Sequence, residues 1–118
     1  MTKILVIDDE PMAAEEMAET LEAAGFIAQW SSDPFEALAQ AVDPAIRLVV
    51  TDLRMPGLDG EQLMAQLRAS RDDLNFIVVS GNSSETEKIG RSAAITTQRL
   101  SKPVAGEQLI ACVRRALS

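Results

Sequence analysis

Ile4-Leu5-Val6-Ile7-Asp8-Asp9-Glu10-Pro11 (ILVIDDEP, residues 4–11) is the stretch on which the fold turns. Four aliphatic residues run straight into three consecutive carboxylates. An apolar run this short and unbroken is what a parallel strand covered on both faces requires. Pro11 suits the first turn of a helix, where its missing N–H is not needed. The acids between strand and helix repel one another. They either start the helix, where negative charge meets the positive end of the dipole, or they surround something positive.

The same alternation recurs along the chain. Short aliphatic runs fall at Lys3–Ile7, Ile27–Trp30, Leu48–Thr51, Phe76–Val79 and Gln98–Ser101. The first, third and fourth are apolar almost throughout, and the second and fifth are mixed, as edge strands are. Helical spacing lies between them: Ala14, Met17, Ala18 and Leu21 share one face, Leu63, Met64 and Leu67 another, and Leu109, Ile110, Val113 and Leu117 a third. Gly25 suits the stop after Ala24. Asp33-Pro34-Phe35-Glu36 reads as an N-cap, a proline at the first helical position and a capping-box glutamate. Ser84 with Glu87 repeats the capping signal before a weak helix over about 84–93, whose apolar surface is little more than Ile89, Ala93 and Ala94. The reading is one α/β domain over residues 1–118, a (βα)5 parallel sheet with helices on both faces.

Composition narrows the function. The chain has 118 residues and a net charge of −7, from 11 Lys+Arg against 18 Asp+Glu, which argues against nucleic-acid binding by bulk electrostatics. No apolar run is long enough to cross a bilayer, and no secretory signal pattern is present. The lone cysteine, Cys112, forbids an internal disulfide and suits a reducing cytoplasm. The absence of histidine excludes His-based metal sites, Ser-His and Cys-His nucleophile pairs, and a phosphohistidine on this chain.

In a doubly wound sheet, ligands sit outside the carboxyl ends of the strands, near the reversal of strand order. Strand one ends in Asp8 and Asp9, strand three in Asp52, strand four in Ser80-Gly81 and strand five in Lys102-Pro103. Each has a plain reading taken singly: helix capping, a turn former, a loop hydroxyl, a solvated lysine, a strand terminator. None of these predicts all of them at one edge. Three carboxylates against one ammonium leave an excess of two negative charges, which a divalent cation neutralises. All-oxygen ligation favours Mg2+ or Mn2+, and spare positions for water favour Mg2+. A carboxylate held by metal and lysine can act as a nucleophile on phosphorus.

These residues carry a resemblance. ILVIDDEP, VVTDLRMPGLDG, VVSG and LSKP stand in the order and spacing of the receiver domain of two-component response regulators, and the similarity runs from Lys3 to about Leu117. It implies a flavodoxin-like sheet of order 2-1-3-4-5. It also implies Asp52 as phospho-acceptor, with Mg2+ held by Asp8, Asp9, Asp52 and the Arg54 backbone carbonyl. Lys102 would pair with the phosphoryl group next to a cis Lys102–Pro103 peptide. Ser80 would be the switch hydroxyl, Gly81 would leave access beside it, and Pro56, Gly57 and Gly60 would shape the loop into helix three. The implied donor is a histidine kinase or phosphotransfer protein. The molecule would be a monomer or a phosphorylation-dependent dimer, not an enzyme with turnover on a free substrate.

Two positions depart from the family. Arg99 stands where a Tyr or Phe is usual, three residues before the lysine, and the segment AAITTQRL (Ala93–Leu100) lacks the usual Gly-Ala pair. Neither touches the phosphorylation chemistry; both bear on coupling from Ser80 to the surface beyond. Together with its weak helix, they predict a mobile segment over 84–93. The other readings are a docking module that never takes phosphate, which would fit a loss of Asp9, Asp52 or Lys102, and an Asp-nucleophile phosphatase, whose general-acid position holds Arg54. A flavin-binding domain is disfavoured by the acids after strand one. The domain is read either as a complete regulator or as the receiver part of a longer protein with an output domain.

Overall fold

The computed structural model describes residues 2–81 and 97–117. The expected helix over 84–93, its capping signal and its mobility fall outside the described residues. The elements run β1 (Lys3–Ile7), α1 (Pro11–Ala23), β2 (Ile27–Ser31), α2 (Pro34–Gln40), β3 (Ile46–Asp52), α3 (Gly60–Ser70), β4 (Asn75–Ser80), β5 (Thr97–Ser101) and α4 (Gly106–Leu117). The five strands are parallel in the order β2-β1-β3-β4-β5. The fold is therefore the doubly wound, flavodoxin-like sheet, with its order reversing between β1 and β3.

Strand alternation explains why the central runs are apolar throughout. Leu5, Ile7, Val49, Phe76 and Val78 face one way and pack with Leu63, Met64 and Leu67 of α3 and Ala37 of α2. Ile4, Val6, Leu48, Val50, Ile77 and Val79 face the other way, against Ala14, Ala18 and Leu21 of α1 and Leu109 and Val113 of α4. Both sides of the sheet are thus removed from water, each buried aliphatic side chain contributing about 1.5–3 kcal/mol. Gln98 Nε2 and Asn75 Nδ2 tie α4 to the sheet by donating to the carbonyls of Cys112 and Ala116, each at 3.1 Å.

The local signals work in detail, with one exception. Pro11 begins α1, and Gly25 ends it at φ +99°. Phe26 N donates to Leu21 O and Gly25 N to Glu22 O, the paired bonds of a Schellman stop. Asp33 caps α2 by accepting from Phe35 N at 2.9 Å. Glu36 does not close a capping box there; its carboxylate accepts from Gln40 Nε2 at 3.1 Å, one turn on. A full capping box stands instead at α3, where Gln62 N donates to Asp59 Oδ1 at 2.8 Å and Asp59 N donates to Gln62 Oε1 at 3.1 Å.

β3 and β4 are longer than their aliphatic runs and take in Asp52 and Ser80 as their last residues. Pairing supplies the reason, since Asp52 lies opposite Val79, and Ser80 opposite Ser101. Among the described residues, no helix is long and apolar enough to cross a membrane.

Candidate functional site

The switch in strand order sets β1 beside β3, so the residues that end these strands meet. Asp8 follows β1 and is 1% exposed, while Asp52 ends β3 and is 6% exposed. Asp9 completes the group from the solvent side. A carboxylate oxygen from each of Asp8, Asp9 and Asp52 lies within 4.8 Å of the other two. Lys102 enters from the loop after β5, its Nζ 3.1 Å from Asp52 Oδ2 and 3.5 Å from Asp8 Oδ2.

Backbone hydrogen bonds hold these groups in place. Asp8 N donates to Ser31 O of β2 at 3.2 Å, and Asp8 Oδ1 accepts from Glu10 N at 3.0 Å. Glu10 occupies the N-cap position of α1 but makes no capping hydrogen bond with its side chain, so the acids are not a helix cap in the usual sense. Leu53 N donates to Val79 O, and Lys102 N donates to Ser80 O at 2.8 Å, which ties the ends of β3, β4 and β5 together. The Lys102–Pro103 peptide is cis.

The electrostatics are unbalanced. Burial, and then the charge of Asp52, push the Asp8 carboxyl above its usual range against the Glu10 N–H and Lys102, which lower it. Partial burial works against the Lys102 ammonium, yet its hydrogen bond to Asp52 and the charges of Asp52 and Asp8 hold it above its usual range. Asp8 Oδ2 is buried and accepts no hydrogen bond, since Lys102 Nζ stands at ion-pair distance only. A buried, orphaned carboxylate oxygen in a group of three is what a hard, oxygen-ligated cation would satisfy. The donor set therefore fits a divalent metal ion.

The remaining expected residues lie partly at the strand ends beside this group and partly away from it. Ser80 is buried at the end of β4, and Gly81 follows it into solvent. Arg54 lies two residues past Asp52 with its side chain exposed, and Pro56 is exposed in the same loop. Gly57 adopts φ +83° beneath the ring of Phe35. Arg99 is not part of the group: it is exposed on β5, opposite Val78, in a shallow groove with Cys112 and Arg115. Next to the site, a groove of about 540 Å3 opens between α1 and α4, lined by Asp8, Glu10, Met17, Lys102, Pro103 and Leu109 among others.

Sequence reasoning placed Gly60 in the loop turn and missed its tighter constraint. Its N–H donates to Leu53 O at 2.8 Å, so the start of α3 lies directly on the residue after Asp52. The Asp59-x-x-Gln62 spacing, a capping-box signature, was the available signal for where α3 begins.

Residues 4–114 match the family model of the response regulator receiver domain. The chain is 34% identical over 115 residues to the response regulator MprA of Mycobacterium sp. (strain KMS), covering 98% of this chain and 50% of that protein. It is 32% identical over 115 residues to the MprA of Mycobacterium leprae (strain TN), with the same coverage of 98% and 50%. The chain thus spans about half the length of the curated relatives it matches. Among solved structures, a receiver domain protein of Clostridium thermocellum superposes with a TM-score of 0.89 at 26% identity, covering 99% of this chain and 94% of that one. A receiver protein of Pseudomonas putida gives 0.83 at 30%, covering 97% and 96%. With the strand order, the acidic group and the lysine in place, the chain belongs to the response regulator receiver domain family of two-component systems.

Proposed function

We propose that Asp52 accepts a phosphoryl group from a phosphohistidine on a partner, a histidine kinase or a phosphotransfer protein, and that Asp8, Asp9, Asp52 and the Arg54 carbonyl hold the Mg2+ that this transfer uses. The observation that carries the reading is the placement of Lys102 Nζ at 3.1 Å from Asp52 Oδ2, beside two further carboxylates, buried Asp8 and exposed Asp9.

In the transfer, a carboxylate oxygen of Asp52 attacks phosphorus, the P–N bond to the partner's imidazole breaks, and the departing imidazole takes up a proton from solvent. Lys102 offers its ammonium to a phosphoryl oxygen. Ser80 ends the neighbouring strand, one residue past Val79, which pairs with Asp52, and its hydroxyl donates to a phosphoryl oxygen. Bound Mg2+ supplies positive charge to the phosphoryl oxygens as negative charge builds on them. Hydrolysis returns the carboxylate when water attacks phosphorus and the acyl phosphate P–O bond breaks. The domain thus acts on itself, and its output is the altered charge and shape of this edge, passed to a further domain or a downstream protein in the cytoplasm.

Incubation with Mg2+ and acetyl phosphate tests this. One phosphoryl group is expected on Asp52, absent in Asp52→Asn and absent when Mg2+ is chelated. A chain that takes no phosphate from acetyl phosphate or a phosphorylated kinase, and does not respond to beryllofluoride, is a docking module instead.

A further inference from the structure

We propose that Gly60 is a positioning residue for phosphorylation at Asp52, an inference that rests on Asp52 being the acceptor. A Cβ at Gly60 would overlap the carbonyl oxygen of Asp52 and would stand 3.0 Å from Leu53 Cα and 3.2 Å from the Asp52 carbonyl carbon. All three are backbone atoms, which cannot swing aside as a side chain can. The other described glycines differ. A Cβ at Gly57 or Gly106 meets side-chain atoms of Phe35 or Thr20 at 3.2 Å, and one at Gly25 or Gly81 meets nothing within 4 Å. Gly60 does not have a positive φ, so close approach, not backbone freedom, is what requires a glycine here.

Both sides of this contact are held. Leu53 is held through both of its peptides: Leu53 N, in the Asp52–Leu53 peptide, donates to Val79 O at 3.1 Å, and Leu53 O, in the next peptide, accepts from Gly60 N at 2.8 Å. The start of α3 is held by the Asp59–Gln62 capping box and by buried Leu63, Met64 and Leu67. A methyl group inserted between two such bodies pushes the Asp52 peptide away from α3. The Asp52 carboxylate then moves relative to Lys102 and the two other acids, and the backbone leading to Arg54 moves with it. Alanine is a better helix former than glycine, so helix propensity alone predicts that Gly60→Ala is benign. The positioning role predicts the opposite.

The test compares Gly60→Ala with Gly25→Ala, which strains a residue at φ +99° at the opposite end of α1 from Asp8 and Asp9. Three quantities are read on folded protein: the apo amide chemical shifts of Asp52 to Arg54, the Mg2+ dissociation constant, and the rate of Asp52 phosphorylation by acetyl phosphate at saturating Mg2+. Gly60→Ala is expected to move the shifts, weaken Mg2+ about tenfold and slow phosphorylation by about 10–100-fold, the scale of a displacement near 1 Å. Gly25→Ala is expected to lower the melting temperature and leave all three as in the unsubstituted chain. Unchanged Mg2+ affinity and rate in Gly60→Ala, or an equal loss in Gly25→Ala, would overturn the proposal. If Gly60→Ala does not fold, Asp59→Ala with Gln62→Ala loosens the start of α3 without adding an atom, and should slow phosphorylation several-fold; an unchanged rate overturns the proposal. If the unsubstituted chain takes no phosphate, the acceptor reading fails by itself, and the shifts and Mg2+ affinity still judge Gly60.

Discussion

At the N-terminal end of the sheet, Lys3 Nζ lies 3.2 Å from Asp43 Oδ2, and Arg71 Nη2 lies 2.8 Å from Asp73 Oδ2. Arg71 Nη1 also donates to the carbonyls of Ala41 and Asp43, both at 3.1 Å, and so staples the α2–β3 connection to the α3–β4 connection. At the C-terminal end, Lys102 pairs with two of three clustered carboxylates, and a buried oxygen of Asp8 accepts no hydrogen bond. For their charged groups, one end of the sheet is therefore satisfied and the other is not, although uncharged Gln40 Oε1, at the end of α2, is also buried without a hydrogen bond. The satisfied end spends its charges on stability. The unsatisfied end keeps an attraction for cations that the fold itself leaves unmet, and that attraction is what the proposed chemistry uses.

Substitutions at the two ends should therefore differ in kind. The largest effect on stability is expected from Arg71→Ala. It leaves two loop carbonyls without their donor and frees Asp73, at a cost of about 2–3 kcal/mol. Urea unfolding measures the loss, while the rate of Asp52 phosphorylation in the folded protein should not change. Lys102→Met comes next and separates stability from function. Asp8 and Asp52 lose the ammonium paired with them, at a cost of about 1–2 kcal/mol once the lysine's 40% side-chain exposure is allowed for. Calorimetric titration should show Mg2+ binding about tenfold tighter, because the ammonium no longer competes, although phosphorylation slows. A variant that lost stability and Mg2+ affinity together would break the comparison.

Much of this contrast was legible in the sequence, but unevenly. The unsatisfied end was readable because its residues all follow aliphatic runs, and the topology of a doubly wound sheet brings strand ends together. Asp8, Asp9, Asp52, Ser80 and Lys102 could be placed there before any coordinates. The satisfied end was not, because Arg71 acts through two carbonyls, and nothing in residue identity reveals which backbone oxygens lie within reach of a guanidinium. Gly60 lay between the two cases. Its place in a turn was visible, but its contact with the Asp52 peptide depends on how α3 seats on the sheet. Glu36 misled for a local reason: a glutamate at the third helical position can reach back to the cap or forward to Gln40, and here it goes forward.

The two ends should also respond oppositely to acid. In metal-free protein, Asp8→Asn keeps an acceptor for Glu10 N and removes a buried charge that Lys102 only partly offsets, so a gain of about 1 kcal/mol is expected. Because the folded carboxyl of Asp8 sits above 3.8, chiefly through burial, the folded state binds its proton more tightly than the unfolded chain does. Its charge thus destabilises the protein at neutral pH, and that penalty fades as pH falls through the folded value towards 3.8. Asp43 has the opposite sign. The Ala45 N–H first, and then Lys3, hold its carboxyl below 3.8, so its contribution persists down to that value and is lost only below it. Asp43→Asn should therefore give the smallest effect of the four, a slight destabilisation that vanishes only below about pH 3.8. Urea midpoints in chelator from neutral pH to about pH 3 would show the Asp8→Asn gap closing first, from above, and the Asp43→Asn gap closing last. If both gaps closed over the same range, the two ends would not differ in how they hold charge.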